Sequence, residues 1–287
     1  MILLGSHGWG EFSPFPEYGP ETTASWLSAA LEAADHGWPD PLRTSVPVNA
    51  TIPAVDAATA YDLASASKCT TVKVKVAEGD DIARVEAVRN AIGSRGRIRI
   101  DANGAWDLAE AERNIRRLGR FDLEYVEQPV ASIEDMATLR RAIDVPIAAD
   151  ESIRNSADPA RVAELEAADV MVLKVQPLGG VRSALRVAED VGLPAVVSSA
   201  LETSVGLAAG LALAAALPEL RYACGLGTIA LLAGDLASEG LVPVNGSLEV
   251  RRPDVDPEAI ERFGAGARSK ELIDRMKAAA VQGAMAL

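Results

Sequence analysis

Histidine, cysteine, lysine and aromatic residues are all scarce in this 287-residue chain, and each scarcity removes a class of chemistry. With only Cys69 and Cys224, neither a disulfide framework nor a zinc cluster can be assembled, and a reducing compartment is expected. Both histidines, His7 and His36, fall in the first forty residues. The rest of the chain therefore has no histidine base, no Ser–His pair and no histidine metal ligand, so acid–base work there falls to lysine or carboxylates. Positive charge is short as well. The 28 Lys and Arg against 41 Asp and Glu leave a net charge of −13, with no basic excess to displace counterions from nucleic acid. Long apolar runs are missing too. "GLAAGLALAAALPEL" is broken by Gly210 and closed by Pro218, too short and too weakly apolar for a membrane span. No charged-then-apolar leader opens the chain, and a cytoplasmic protein is expected.

What the chain does have is a rhythm. From residue 46, short β-branched or apolar runs recur at 46–52, 71–76, 97–101, 123–127, 145–150, 169–174, 193–199 and 221–225. Between them lie segments of helical spacing such as "DIARVEAVRNAIG" and "VRSALRVAEDVG", several opening near Asp, Ser or Thr and closing at Gly. Eight strand–helix units in alternation predict parallel strands with right-handed crossovers, and hence an α/β fold of the (β/α)8 barrel type, with an open doubly wound sheet as the alternative. Residues 1–45 stand outside the rhythm and predict a strand, a loop and a helix, forming part of a small α+β cap. The barrel is expected over 46–240. Residues 241–287 are expected to return with a hairpin or strand and a final helix over 257–283, so that both chain ends build the cap.

Within "TVKVKVAE", Lys73 and Lys75 alternate with Val72, Val74 and Val76, which sends both lysines to one face of a strand. An edge strand wetting its polar side would explain a lone doublet. The placement of other charges argues differently. Lys75, Asp101, Glu127, Asp150 and Lys174 end five consecutive predicted strands, at spacings of 26, 26, 23 and 24 residues. In a closed barrel that register brings all five to the carboxyl-end rim, where barrel enzymes keep their active sites. Three converging carboxylates repel one another unless a cation sits among them, and oxygen-only ligands favour Mg2+ or Mn2+. Lysines on either side of a metal-bound carboxylate suit removal of a proton from the adjacent carbon.

"KVKV", "DANGAW", "VEQP", "AADES", "LKVQPLGG" and "SSALETSVG" together resemble the muconate-lactonizing subgroup of the enolase superfamily, in its order and spacing, over nearly the whole chain. Within the subgroup, "GWGEFSPFPEYGPET" and "VVSSALETSVGLAAG" look like the o-succinylbenzoate synthases of actinobacterial type. The resemblance implies a magnesium-dependent lyase of menaquinone biosynthesis acting on a small carboxylate. It implies syn loss of water through an enediolate, with Lys75 as base and then acid and Lys174 stabilising charge opposite it. Asp101, Glu127 and Asp150 would hold the metal, and Lys73 would hold Lys75 and favour its proton-accepting form. Asn103 and Glu151 would support these groups or merely cap loops. Arg99 would meet a carboxylate of the substrate or of the protein. Ser198 and Ser199 would take a substrate carboxylate or serve the turn. In that family further N-terminal strand precedes "GWGE", so the cap is expected to be shortened at its N-terminus. Alternatives remain: an N-acylamino acid racemase using the same lysine pair, a Schiff-base aldolase, or a non-catalytic metal-binding barrel.

Overall fold

The computed structural model describes residues 1–284. Its strands are β1 (Ile2–Gly5), β2 (Gly8–Glu11), β3 (Ser45–Pro47), β4 (Ala50–Ile52), β5 (Thr71–Lys75), β6 (Arg97–Asp101), β7 (Leu123–Glu127), β8 (Ile147–Ala149), β9 (Val170–Leu173), β10 (Ala195–Val197) and β11 (Ser247–Glu249). Strands β4 to β10 lie side by side in chain order, every pairing parallel. Parallel neighbours cannot be joined by tight turns, and helical crossovers fill the intervals. Their starts are where short polar side chains cap free N–H groups. Asp56 accepts from Thr59 N and Asp80 from Ala83 N, Asp107 forms a reciprocal capping box with Glu110, and Ser132 accepts from Asp135 N.

The two edges of this sheet meet through the segment expected to be the eighth strand. Residues 221–225 do not form a strand; they make single parallel bridges, Cys224 to Val48 and Gly225 to Ser198. Four backbone hydrogen bonds close the ring there: Cys224 N to Pro47 O, Asn49 N to Cys224 O, Gly225 N to Val197 O and Ser199 N to Gly225 O, at 2.7–3.0 Å. Crowding accounts for the irregularity. A Cβ on Gly225 would lie 2.5 Å from Ser198 Oγ, and one on Gly227 would lie 2.8 Å from Asn49 O. The expected first strand, 46–52, also divides. Its start, β3, pairs antiparallel with β11 and touches the barrel only at the seam through Pro47, while β4 joins the seven-stranded sheet.

Val72, Val74 and Val76 pack outward in the main core beneath the helices, as alternation requires. Inside the ring Tyr125, Ala148, Val170, Val172 and Val196 form a separate cluster with Tyr222. The helix Ser204–Ala216 is apolar all round because it is covered all round, with only Ala216 not buried. No helix among the described residues is long and apolar enough to cross a membrane.

Both chain ends build the cap. Phe12, just after the β1–β2 hairpin, and Trp26, Leu27 and Ala30 of the helix Pro20–Leu31 share a cluster with Ala279 and Ala280 of the helix Ser269–Gln282. The expected helix over 257–283 arrives as two pieces, Pro257–Arg262 and Ser269–Gln282, separated by a 3-10 turn at Gly266, whose φ of +53° a side chain would resist.

Candidate active site

Parallel register sets the site. Lys75 pairs with Asp101, and Asp101 with Glu127, as Cα partners on adjacent strands, so the three side chains stand in a row on the inner face. Asp150 follows β8 and Lys174 follows β9, on the same rim. Lys73 Nζ lies 3.0 Å from Asp101 Oδ2 and 2.8 Å from Glu127 Oε1. Lys75 Nζ lies 2.6 Å from Asp101 Oδ2 and 2.6 Å from Asn103 Oδ1. Lys174 Nζ donates to Asp150 Oδ2 at 2.6 Å. All three carboxylates are buried, while the Lys75 side chain keeps 31% of its surface. Asn103 holds φ at +48°, its N–H donates to Asp101 Oδ1 at 3.0 Å, and its side-chain amide donates to Glu151 Oε1 at 3.2 Å. Thus Lys73, Lys75, Asp101, Glu127, Asn103 and Glu151 form one connected network, with Asp150 and Lys174 beside it.

The charges are uneven. Burial disfavours the Asp101 carboxylate, but Lys73 and Lys75 outweigh it and hold the group well below the usual range. Burial also opposes the charge on Lys73, yet Asp101 and Glu127 raise its pKa well above the ordinary value. Glu127 goes the other way. Burial, then the field of Asp101, push it up to about 7 despite Lys73.

The fit of a divalent cation can be judged from these groups. Among the described residues no three His, Cys, Asp or Glu side chains converge as a ready-made metal site. The ammonium groups of Lys73, Lys75 and Lys174 occupy the carboxylate oxygens instead. The donor set nevertheless suits a hard cation. It is all oxygen and buried, Glu127 carries a negative charge its surroundings resist, and Glu151 Oε2 is buried without a hydrogen-bond partner. Relief of that charge and of that orphaned oxygen is what a bound cation and its waters supply.

The other expected residues take different places. Arg99 is fully buried below the site and meets a carboxylate of the protein. Its Nε donates to Glu124 Oε2 at 2.6 Å and its Nη1 to Asn49 Oδ1 at 3.0 Å and to Ala223 O at 2.6 Å. A bulge makes this pair possible. Partners jump from Ile98–Leu123 to Arg99–Tyr125, leaving Glu124 extra and free to turn inward. The Arg99 guanidinium also lies 4.7 Å from the Tyr125 ring centroid. Ser198 and Ser199 are buried at the rim; Ser199 Oγ pairs with Thr228 Oγ1 at 2.7 Å, and Ser198 Oγ approaches Gly225 O at 3.5 Å. Both hydroxyls thus face the seam segment 225–228, and Ser199 Oγ also accepts from Leu201 N at 3.3 Å.

Sequence reading passed over several supporting residues. Gln128 Oε1 accepts from the N–H groups of Asp150 and Ser152, both at 3.1 Å, and its amide donates to Ser152 Oγ at 2.8 Å, which ties the β7 end to the β8 end. Arg154 Nε donates to Asp150 Oδ1 at 3.1 Å. The cap reaches the rim through Glu11, which accepts from Thr203 N at 3.1 Å and Gly206 N at 2.9 Å, and through Ser13, whose N–H donates to Gln176 Oε1 at 3.2 Å. Burial, then the nearby Glu11 charge, push Glu202 up to about 7 although the Ala200 N–H stabilises it. One signal was visible: an arginine four residues after a strand-end aspartate, inside "DESIR", is positioned by a helical turn to reach back to it.

Residues 55–266 match the enolase C-terminal domain-like family and residues 1–34 the enolase N-terminal domain-like family. The chain is 62% identical over 265 residues to an o-succinylbenzoate synthase of Thermobifida fusca, covering 91% of this chain and 84% of that one. It is 50% identical over 271 residues to an o-succinylbenzoate synthase of Mycolicibacterium smegmatis, covering 92% and 83%. Among solved structures, a muconate lactonizing enzyme from Pseudomonas fluorescens complexed with muconolactone superposes with a TM-score of 0.76 at 27% identity, covering 86% of this chain and 74% of that one. The chain therefore belongs to the enolase superfamily and, within it, to the o-succinylbenzoate synthase family.

Proposed function

We propose that this chain is a lyase that removes water from 2-succinyl-6-hydroxy-2,4-cyclohexadiene-1-carboxylate to give o-succinylbenzoate, a step of menaquinone biosynthesis. The observation that supports it best is the row of Lys75, Asp101 and Glu127 on adjacent strands, with Lys174 on Asp150 beside it, in a chain of that family. In this reading Asp101, Glu127 and Asp150 hold Mg2+. The bound ion supplies Lewis acidity at the substrate carboxylate, next to the carbon that loses its proton.

The chain's own residues do the rest. Lys75 is the partly exposed lysine of the pair on β5, and so the one able to reach a substrate. As the amine it takes the proton from the carbon beside the carboxylate; as the resulting ammonium it returns a proton to the departing hydroxyl on the same face. Lys174 stays charged opposite and stabilises the developing enediolate. Lys73, enclosed by Asp101 and Glu127, takes no part in proton transfer and fixes the two carboxylates against which Lys75 is set. Asn103, on Lys75 Nζ, limits where that amine can point. The same reading assigns the cap to residues 1–45, the barrel to 46–240 and the returning segment to 241–287, of which 285–287 lie outside the described residues. It places the protein in the cytoplasm, in keeping with two free, buried thiols.

The test is a direct assay of the dehydration with and without Mg2+, run beside an N-succinylamino acid. Metal-dependent formation of o-succinylbenzoate is expected. Racemisation of the amino acid without dehydration sinks the assignment, as does a lysine adduct trapped by borohydride.

A further inference from the structure

A line of hydrogen bonds that the chemistry itself does not require runs from the cap to Asp150. Arg154 ends the short helix Glu151–Arg154, one turn beyond that carboxylate. Its three nitrogens have different partners: Nε donates to Asp150 Oδ1 at 3.1 Å, Nη2 to Glu151 Oε1 at 2.8 Å, and Nη1 to the Tyr18 hydroxyl at 2.9 Å and, at 3.3 Å, to the neighbouring Asn155 Oδ1. Only 10% of its side chain is exposed. With Lys174 on Oδ2, both oxygens of Asp150 are fixed in plane and direction. The torsion that sets a carboxylate's plane is soft, so this orientation comes from its partners and not from the side chain itself. A planar guanidinium fork supplies it where a point charge would not.

Tyr18 belongs to the cap, and both chain ends fix it. Arg275, from the helix Ser269–Gln282, donates to Pro14 O and to Tyr18 O, each at 3.0 Å. The Tyr18 ring meets Phe15 and Trp26 edge-on, with centroids 5.6 and 6.1 Å away. We propose that Tyr18 and Arg154 are positioning residues through which docking of the cap sets the divalent-metal affinity of Asp150. This rests on Asp150 being a metal ligand, as assigned above. A cap that loosens releases the phenol, the guanidinium loses its one anchor outside the segment 150–155, and the carboxylate gains freedom to turn.

Calorimetric titration of the full chain with Mg2+, without substrate, tests this. Arg154→Lys keeps the charge but not the fork, and should weaken binding about tenfold, the lower end of what outer partners of metal ligands contribute. Tyr18→Phe should weaken it about threefold, the scale of one hydrogen bond felt at second hand. The double variant should bind no more weakly than Arg154→Lys alone, because the phenol acts only through the guanidinium. Wild-type affinity in both single variants, or losses that multiply in the double, would overturn the proposal. Asp150→Asn serves as the control. If it weakens binding while the other two do not, the relay alone fails; if it binds Mg2+ as the wild type does, the ligand assignment fails and the relay with it.

Discussion

β6 turns two charged residues inward, Arg99 and Asp101, and they belong to different layers of the same barrel. Arg99, in the lower layer, is completely enclosed, its Nε on Glu124 and its plane against Tyr125. Asp101, in the upper layer, is shared by two lysines, one of them partly open to solvent. The lower layer is a fixed guanidinium and two aromatic rings around a carboxylate, Glu124, whose other oxygen pairs with the exposed Arg97 at 2.7 Å. The upper layer is a set of exchangeable cations on buried oxygens. Two residues along one strand thus separate charge that holds the barrel from charge that can react.

Substitutions can break this contrast. Lys75→Ala should lower kcat by about three orders of magnitude or more, within the range that a positioned base contributes, with the far-ultraviolet circular dichroism unchanged. Near-normal turnover would remove Lys75 from the chemistry. Arg99→Met, by contrast, leaves Glu124 with only the exposed Arg97 as its ionic partner and buried Asn49 Oδ1 without its donor, and should cost about 1–3 kcal/mol of stability in denaturant unfolding, with kcat per folded molecule nearly unaltered. An Arg99→Met protein of normal stability but impaired turnover would put Arg99 in the upper layer after all. Added Mg2+ should raise the melting temperature of the wild type, and Asp150→Asn should abolish most of that rise, whereas Arg99→Met should keep it.

A smaller effect separates a third layer, at the seventh loop. Glu202 is raised to about 7 by burial, so the folded chain holds its proton where the unfolded chain has lost it. Stability from this group is therefore greatest at low pH and falls as pH rises from the ordinary carboxylate range through about 7. The slope has a ceiling of about 1.4 kcal/mol per pH unit. Glu202→Gln should flatten the fall in melting temperature between pH 5.5 and 8; an unchanged profile would place the titration elsewhere.

Much of this layering could be read from the chain. The strand-end spacing of Lys75, Asp101, Glu127, Asp150 and Lys174 survives into the structure because parallel strands of equal rise deliver equally spaced residues to one rim. Alternation correctly sent Val72, Val74 and Val76 outward. What local pattern could not carry was pairing across distance. The partner of Arg99 depends on a bulge at Glu124, and nothing in "LEYVE" marks the extra residue. The eighth run, "RYACG", has the composition of a strand, but the close approach of Ser198 and Asn49 leaves it only two bridges. Arg154 and Tyr18 are 136 residues apart, so their contact exists only once the cap has docked.

That reduced eighth segment has a practical consequence. The ring is joined at its seam by four backbone hydrogen bonds around Cys224, a thiol with no exposed surface whose ionisation burial pushes up to about 11. A thiol reagent can reach that sulfur only when the structure around the seam opens, so its rate of labelling reads out local opening at the place where the ring is joined, as a dye reads a crack in glazing.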